Sequence, residues 1–303
     1  MSHQITYVDR LTQKQEIEKV YGGGALRFVY GDNWISRFIG RPLGWIGSKF
    51  ALCSHLYGLY QKSSCSARKI KPFIQYFNVD ATEFADSVDS FRSFNDFFCR
   101  HLKPEARPID EDVNSAVMPA DGRYLFYPNI AKADGFVVKG KKFDIATLVG
   151  SSSLAASYLN GSMIMARLCP TDYHRFHFPC TGTPGASSII NGCLLSVNPL
   201  AIKRNIETFS ENKRSICELS TELFGKVLLI EVGAMAVGTI GQTYEPQTLC
   251  KKGAEKGFFS FGGSSVIILF KQNRIVFDED LLQLSKGHIE VKCLMGQSLG
   301  RRK

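Results

Sequence analysis

The chain has 303 residues, 44% hydrophobic and 21% charged, which is apolar enough for one large domain or two modest ones and too little charged for extended disorder. Thirty-seven Lys and Arg against 28 Asp and Glu leave a net charge of +9, which favours an anionic partner: nucleic acid, an acidic small molecule or an anionic lipid surface. Ordinary usage of glycine (27) and proline (11) excludes collagen-like and low-complexity character.

Residues 1–24 are polar and end in the break Gly22-Gly23-Gly24. Their start, MSHQITYVDR, carries Asp9 and no apolar stretch, so it matches neither a signal peptide nor an Arg-rich transit peptide. Residues 25–60 hold both tryptophans, Trp34 and Trp45, among many aromatic and aliphatic residues, with Arg27, Arg37, Arg41 and Lys49 against Asp32. Several short helices broken at Gly40-Arg41-Pro42 and Gly44 fit this pattern. Such faces suit the headgroup level of a membrane, and they equally suit a helical subdomain packed on the protein's own core. No apolar run approaches the roughly 18 residues that a bilayer crossing needs.

Residues 61–71 are polar and basic, a surface connection. Residues 72–102 place Phe84, Phe91, Phe94, Phe97 and Phe98 at helical spacing, which predicts helix up to Pro104. After Pro119 the texture changes to short β-rich runs: 124–127, 135–138, 162–167, 226–232, 265–270 and 274–277. The expected fold is α+β, with a helical N-terminal part followed by a mainly antiparallel β catalytic domain. The expected divisions are 1–24, 25–110 and 111–303. Nine scattered cysteines without a CxxC pair argue against a disulfide framework or a zinc ribbon and for free thiols in a reducing compartment.

Three clusters could carry chemistry. In Pro119-Ala120-Asp121-Gly122, Asp121 reads as an Asx-turn residue or a catalytic carboxylate. His174 and His177 lie within Tyr173-His174-Arg175-Phe176-His177-Phe178-Pro179. No HExxH helix or cysteine pair accompanies them, so a metal is not expected; they read as acid/base groups or as histidines satisfied by backbone. The third cluster, Phe261-Gly262-Gly263-Ser264-Ser265, precedes an apolar strand. It reads as a hairpin turn, since it lacks the Walker lysine and the G-x-S-x-G elbow. Taken together, Asp, His and Ser make a nucleophile–base–orienter set, and a serine after two glycines can approach the preceding carbonyl of its own chain.

With these residues the sequence resembles the phosphatidylserine decarboxylases, pyruvoyl-dependent enzymes made as proenzymes. The resemblance runs from about residue 25 to about 295. It rests on the ordered presence of Asn95-Asp96-Phe97-Phe98-Cys99-Arg100, Lys103-Pro104-Glu105-Ala106-Arg107-Pro108-Ile109, Pro119-Ala120-Asp121-Gly122, Val138-Lys139-Gly140, the two-histidine segment, Ser196-Val197-Asn198-Pro199, Val232-Gly233-Ala234 and Lys252-Gly253-Ala254-Glu255-Lys256-Gly257. These run into Phe261-Gly262-Gly263-Ser264-Ser265, the bacterial Gly-Gly-Ser-Ser form of the turn. The stretch Asn205–Cys217 departs from the family pattern.

The resemblance implies self-cleavage between Gly263 and Ser264 into a β chain (1–263) and an α chain (264–303). Ser264 would attack, His177 would take its proton and Asp121 would orient the imidazole. Ser264 would become a covalent pyruvoyl group that forms a Schiff base with the amine of phosphatidylserine and supports loss of CO2 to give phosphatidylethanolamine. His174 is the implied proton handler in decarboxylation. The implied partners are the lipid substrate, an anionic membrane surface, the α and β fragments joined as a heterodimer, and a further pairing of these units; nucleic acid is not expected. The resemblance implies that the helical N-terminal part, 25–110, is membrane-associating, and that the location is peripheral, on the cytoplasmic side of the cell membrane. The alternative is a membrane-surface serine hydrolase using Asp121, His177 and Ser264 without self-cleavage.

Overall fold

The structure is a computed structural model that describes residues 5–21, 24, 34, 36–40, 51–132, 137–138, 141–142, 144–202, 207–234, 239–262 and 264–303. Several expectations fall outside these residues: Gly263, Trp45, Gly22-Gly23, the break at Arg41, Pro42 and Gly44, the strand start at 135–136, and Asn205.

The chain opens with strands β1 (Thr6–Asp9) and β2 (Gln15–Ile17), followed by helices α1 (Ala51–Lys62), α2 (Ile70–Phe77) and α3 (Phe94–Phe98). Strands β3 (Ser115–Val117), β4 (Gly122–Tyr127), β5 (Val137–Val138) and β6 (Lys141–Lys142) lead to helices α4 (Ile145–Val149) and α5 (Ser152–Ala156). Next come β7 (Ser162–Leu168), β8 (Arg175–His177), β9 (Thr183–Pro184) and β10 (Ser188–Ile190), then short helices α6 (Pro199–Ile202) and α7 (Thr208–Glu211). Long strands β11 (Arg214–Thr221) and β12 (Gly225–Gly233) precede β13 (Ile240–Gln242), β14 (Glu255–Phe259), β15 (Ser264–Phe270) and β16 (Ile275–Phe277). Helix α8 (Glu279–Leu284) and strands β17 (Glu290–Cys293) and β18 (Ser298–Arg302) end the chain.

The protein is therefore mixed, mostly sheet with few and short helices, and among the described residues no helix is long and apolar enough to cross a membrane. The main sheet has ten strands in the order β10-β11-β12-β15-β7-β4-β17-β1-β2, with β9 also on β11. Its pairings are antiparallel except β1 with β17. The central strands read as continuous apolar runs because both faces are covered. Val266, Ile268 and Phe270 of β15 enter one core with Ile164, Val227 and Leu229, while Ile267 and Leu269 enter another with Met163, Leu228 and Ile230.

A three-stranded sheet, β13-β14-β8, packs on the first core through Phe176 and Phe259. A buried ion pair fastens it to the main sheet: Lys256 Nζ lies 2.9 Å from Glu231 on β12, both side chains 1% exposed, and also reaches Gln242 Oε1 at 2.9 Å. A third cluster gathers Ile70, Phe73, Phe84, Phe91, Phe94, Phe97 and Phe98 from the helical region with Phe261 from the turn before β15.

One expectation changes, and the N-terminal segment gains a place. The helix over 72–102 is broken into separate pieces, because α2 ends at Asn78 in a left-handed conformation (φ 54°, ψ 46°) that continues no helix. Asp80 and Ser93 then begin new turns by accepting from the N–H groups of Thr82 and Asp96. The N-terminal residues, in turn, join the main sheet. Arg167 lies between Glu18 (2.7 Å) and Glu290 (2.5 Å), and Lys292 meets Asp9 at 2.9 Å, so charges hold β1 and its flank against the C-terminal strand.

Removing one partner of a buried pair strands the other charge. Lys256→Met is expected to cost about 3–5 kcal/mol of unfolding free energy, and adding Glu231→Leu should recover much of that loss. Urea denaturation of the two variants measures the difference.

Candidate active site

The site forms where four neighbouring strands finish or start. The register pairs Ser264 with Leu168 at the end of β7 and with Gly233 at the end of β12, while Arg123 near the start of β4 pairs with Arg167. Asp121 thus sits at the same end of the sheet as Ser264, two strand spacings or about 10 Å away across the ladder. Close packing requires a glycine beside it, since a side chain on Gly122 would put Cβ 3.0 Å from the Arg167 carbonyl oxygen. The loop that leaves β7 carries His174 and leads into β8, which ends at His177.

Ser264 is fully buried, and its Oγ has no hydrogen-bond partner among the described residues. The two-residue alternation of β15 puts Ser264 on the face of Val266 and Ile268, against which the small sheet bearing His177 packs. Ser265 takes the opposite face with Ile267 and Leu269, and its Oγ is likewise buried without a partner. Buried hydroxyls are usually bonded, so two in succession without a partner among the described residues are uncommon.

Both histidines are buried, and each directs Nδ1 at a backbone carbonyl: His174 at Asp172 O and His177 at Gly253 O, both at 3.0 Å. With Nδ1 donating, the free lone pair is on Nε2, and neither Nε2 has a partner among the described residues. Burial pushes the His174 pKa down to about 3, with Asp172 opposing the shift, and its ring lies 3.7 Å from that of Phe98. Burial also lowers the His177 pKa, with the Gly253 carbonyl, Glu255 and Asp121 opposing. Both are therefore neutral bases at pH 7.

Asp121 is 4% exposed and grips Arg107: Nε reaches its two oxygens at 2.9 and 3.0 Å, and Nη2 reaches Oδ2 at 2.6 Å. The Met295 N–H donates to Oδ1 at 2.8 Å. Arg107 also spans to Glu83 at 2.9 and 3.0 Å. Burial disfavours the guanidinium charge, but Asp121 and Glu83 outweigh it and raise the Arg107 pKa. The hydrogen bond that orients His177 thus comes from the Gly253 carbonyl, while Asp121 acts on the imidazole through its charge.

Arg107 and Asn95 lie in the quoted motifs with no role that the sequence assigns. Asn95 Oδ1 accepts from the Phe261 N–H at 2.9 Å, and Cys99 Sγ contacts the Phe259 carbonyl at 3.4 Å. Arg100 is buried beside His174, with Nη2 bonded to the carbonyls of Thr171 and Asp172, and burial lowers its pKa to about 10. Nothing local in the sequence reports contacts between such distant segments.

Comparison with known proteins agrees with the geometry. The family model described as phosphatidylserine decarboxylase matches residues 94–301. A phosphatidylserine decarboxylase proenzyme of Chlamydia pneumoniae is 48% identical over 295 residues, 97% of this chain and 96% of the relative. The proteins of the same name from Chlamydia felis (strain Fe/C-56) and Chlamydia trachomatis (serovar D) are 48% identical over 297 residues and 44% identical over 301, each covering 98% of the relative. The chain belongs to the phosphatidylserine decarboxylase family.

Proposed function

We propose that this chain is a proenzyme that cleaves itself between residues 263 and 264 and then decarboxylates phosphatidylserine to phosphatidylethanolamine. The observation that carries this reading is the Ser264 hydroxyl at the head of β15, buried and without a partner among the described residues, at the sheet end where the Nε2 atoms of two neutral histidines likewise have none among them. A serine hydrolase draws no support from this geometry, because Ser264 begins a strand rather than the strand-to-helix turn that exposes a hydrolase serine.

In the proposed cleavage, His177 Nε2 takes the hydroxyl proton as Ser264 Oγ attacks the Gly263 carbonyl. The peptide C–N bond breaks, leaving an ester on Oγ and a free amine on residue 264. Loss of the Cα proton then expels Gly263 as a carboxylate and leaves dehydroalanine. Its imine tautomer takes up water and releases ammonia, which leaves a pyruvoyl cap on residues 264–303. Asp121, oriented by Arg107, favours the charged state of His177 during the first step.

The pyruvoyl ketone supplies the electron sink that lets a substrate carboxylate leave as CO2. His174 Nε2, unprotonated at pH 7, is the proposed relay for the proton returned to the substrate: burial disfavours the charged ring, so a proton taken up there is passed on readily. The fragments stay together because β15 is bonded on both sides along its length, to β12 and to β7.

The substrate lies in a membrane, and the helical region has features that suit one. Trp34 and Phe38 are 67% and 74% exposed, and α1 exposes Leu56 (57%) and Leu59 (51%), followed by the cations Lys62, Arg68 and Lys69. Apolar side chains beside cations favour peripheral attachment to an anionic leaflet.

Ser264→Ala should run as one chain on denaturing gels and release no CO2 from serine phospholipid, while Ser265→Ala should still cleave. His177→Ala should slow cleavage by about 10²–10⁴-fold. Because a lowered pKa keeps His177 neutral at pH 7, the cleavage rate should be level through neutral pH and fall only as the solution becomes acidic enough to protonate it. A rate rising toward acid would contradict this. His174→Ala should cleave yet lose decarboxylation; the reverse pattern would exchange the two roles.

Leu56→Asp with Leu59→Asp should cut flotation with anionic liposomes by about tenfold or more and leave self-cleavage intact. Unchanged flotation would remove these residues from the membrane contact.

A further inference from the structure

Resting on that reading of self-cleavage, we propose that Asn95 is a positioning residue for the reaction, anchoring the upstream arm of the scissile turn through its side-chain oxygen. The downstream arm needs no such help, since Ser264 is fixed by ladders to Gly233 and Leu168. The upstream arm reaches the reacting carbonyl through two glycines. Gly262 has φ +141°, a conformation that side-chain-bearing residues rarely adopt. A glycine pair held only at its far end would sample many orientations, and attack by a neighbouring hydroxyl is sensitive to displacements of about 1 Å.

Phe261 provides the missing anchor. Its N–H donates to Asn95 Oδ1 at 2.9 Å, and its ring is 4% exposed. That ring packs edge-on against Phe94 and Phe98, with centroids 5.2 and 5.0 Å away, and near Tyr57 at 5.9 Å. The helix that presents Asn95 is itself braced. Ser93 Oγ accepts from the Asp96 N–H at 3.1 Å, Asp96 accepts from the Arg92 N–H at 3.0 Å, and Phe94, Phe97 and Phe98 are fully buried. One residue beyond the helix, the Cys99 thiol contacts the Phe259 carbonyl, so the chain entering the turn is held at two alternate residues. The same helix sets Phe98 against His174. Asn95 therefore ties Phe261, two residues before the reacting carbonyl, to the rigid cluster that also places the second histidine.

A neutral hydrogen bond contributes little net stability, whereas misplacing a reacting group costs rate steeply. The two effects can be separated by pulse-labelling the full chain in cell-free translation and following cleavage over time, with melting midpoints measured on Ser264→Ala backgrounds. Asn95→Ala should cleave about 10–100-fold more slowly than wild type while melting within a few degrees of it. Asn95→Asp keeps an acceptor oxygen at the same reach and should cleave within about threefold of wild type. Should Asn95→Ala fail to fold, Asn95→Ser, whose hydroxyl is too short to reach, should be slower than Asn95→Asp. Equal rates for Asn95→Ala and wild type, or for Asn95→Asp and Asn95→Ser, would overturn the proposal. A wild-type chain that stayed whole would instead remove the self-cleavage reading beneath it, a result visible without any variant.

Discussion

The two-sided ladder of β15 is the constraint on which the rest of the site depends. Seven consecutive residues pair with β12 on one side and with β7 on the other, so the strand cannot shift without breaking both registers. Its first residue is a serine whose buried hydroxyl has no partner among the described residues. A fixed nucleophile beside a glycine turn turns a rare conformational event into a standing arrangement. The same ladder keeps residues 264–303 within the core whether or not the bond before Ser264 is intact.

Around that point, burial and charge divide the tasks. Burial keeps both histidines neutral, and each uses Nδ1 on a backbone carbonyl and leaves Nε2 free. Asp121 would be costly to bury alone, and Arg107 with the Met295 N–H gives its oxygens partners. Arg107 reaches on to Glu83, and Asn95 to Phe261, so the helical region contributes to the site rather than sitting beside it. Its aromatic cluster joins the turn before Ser264 to the same body.

The sequence shows some of this plainly. Strands β4, β7, β12 and β15 are long apolar runs because both sheet faces are covered, and that signal survives without any partner in view. Asp121, His174, His177 and Ser264 stand out by residue type and setting. Other features have no local signature. Residues 1–24 read only as a polar N-terminal segment, yet residues 6–17 pair beside a strand at the far end of the chain, held by charges such as Glu18 and Arg167. Phenylalanines at helical spacing suggest one helix over 72–102, but the left-handed Asn78 ends it, and the rings meet through folding of separate turns. The orienter of His177 is a backbone carbonyl, which no side-chain pattern can announce.

The most direct test is the intact mass of the fragment beginning at residue 264, isolated from catalytically active protein. The account predicts a peptide lighter by one ammonia than residues 264–303 with an ordinary N-terminal serine, because the amine has left and a ketone has taken its place. An active enzyme that retains the unbroken 303-residue chain, or a fragment whose serine is unmodified, would contradict it.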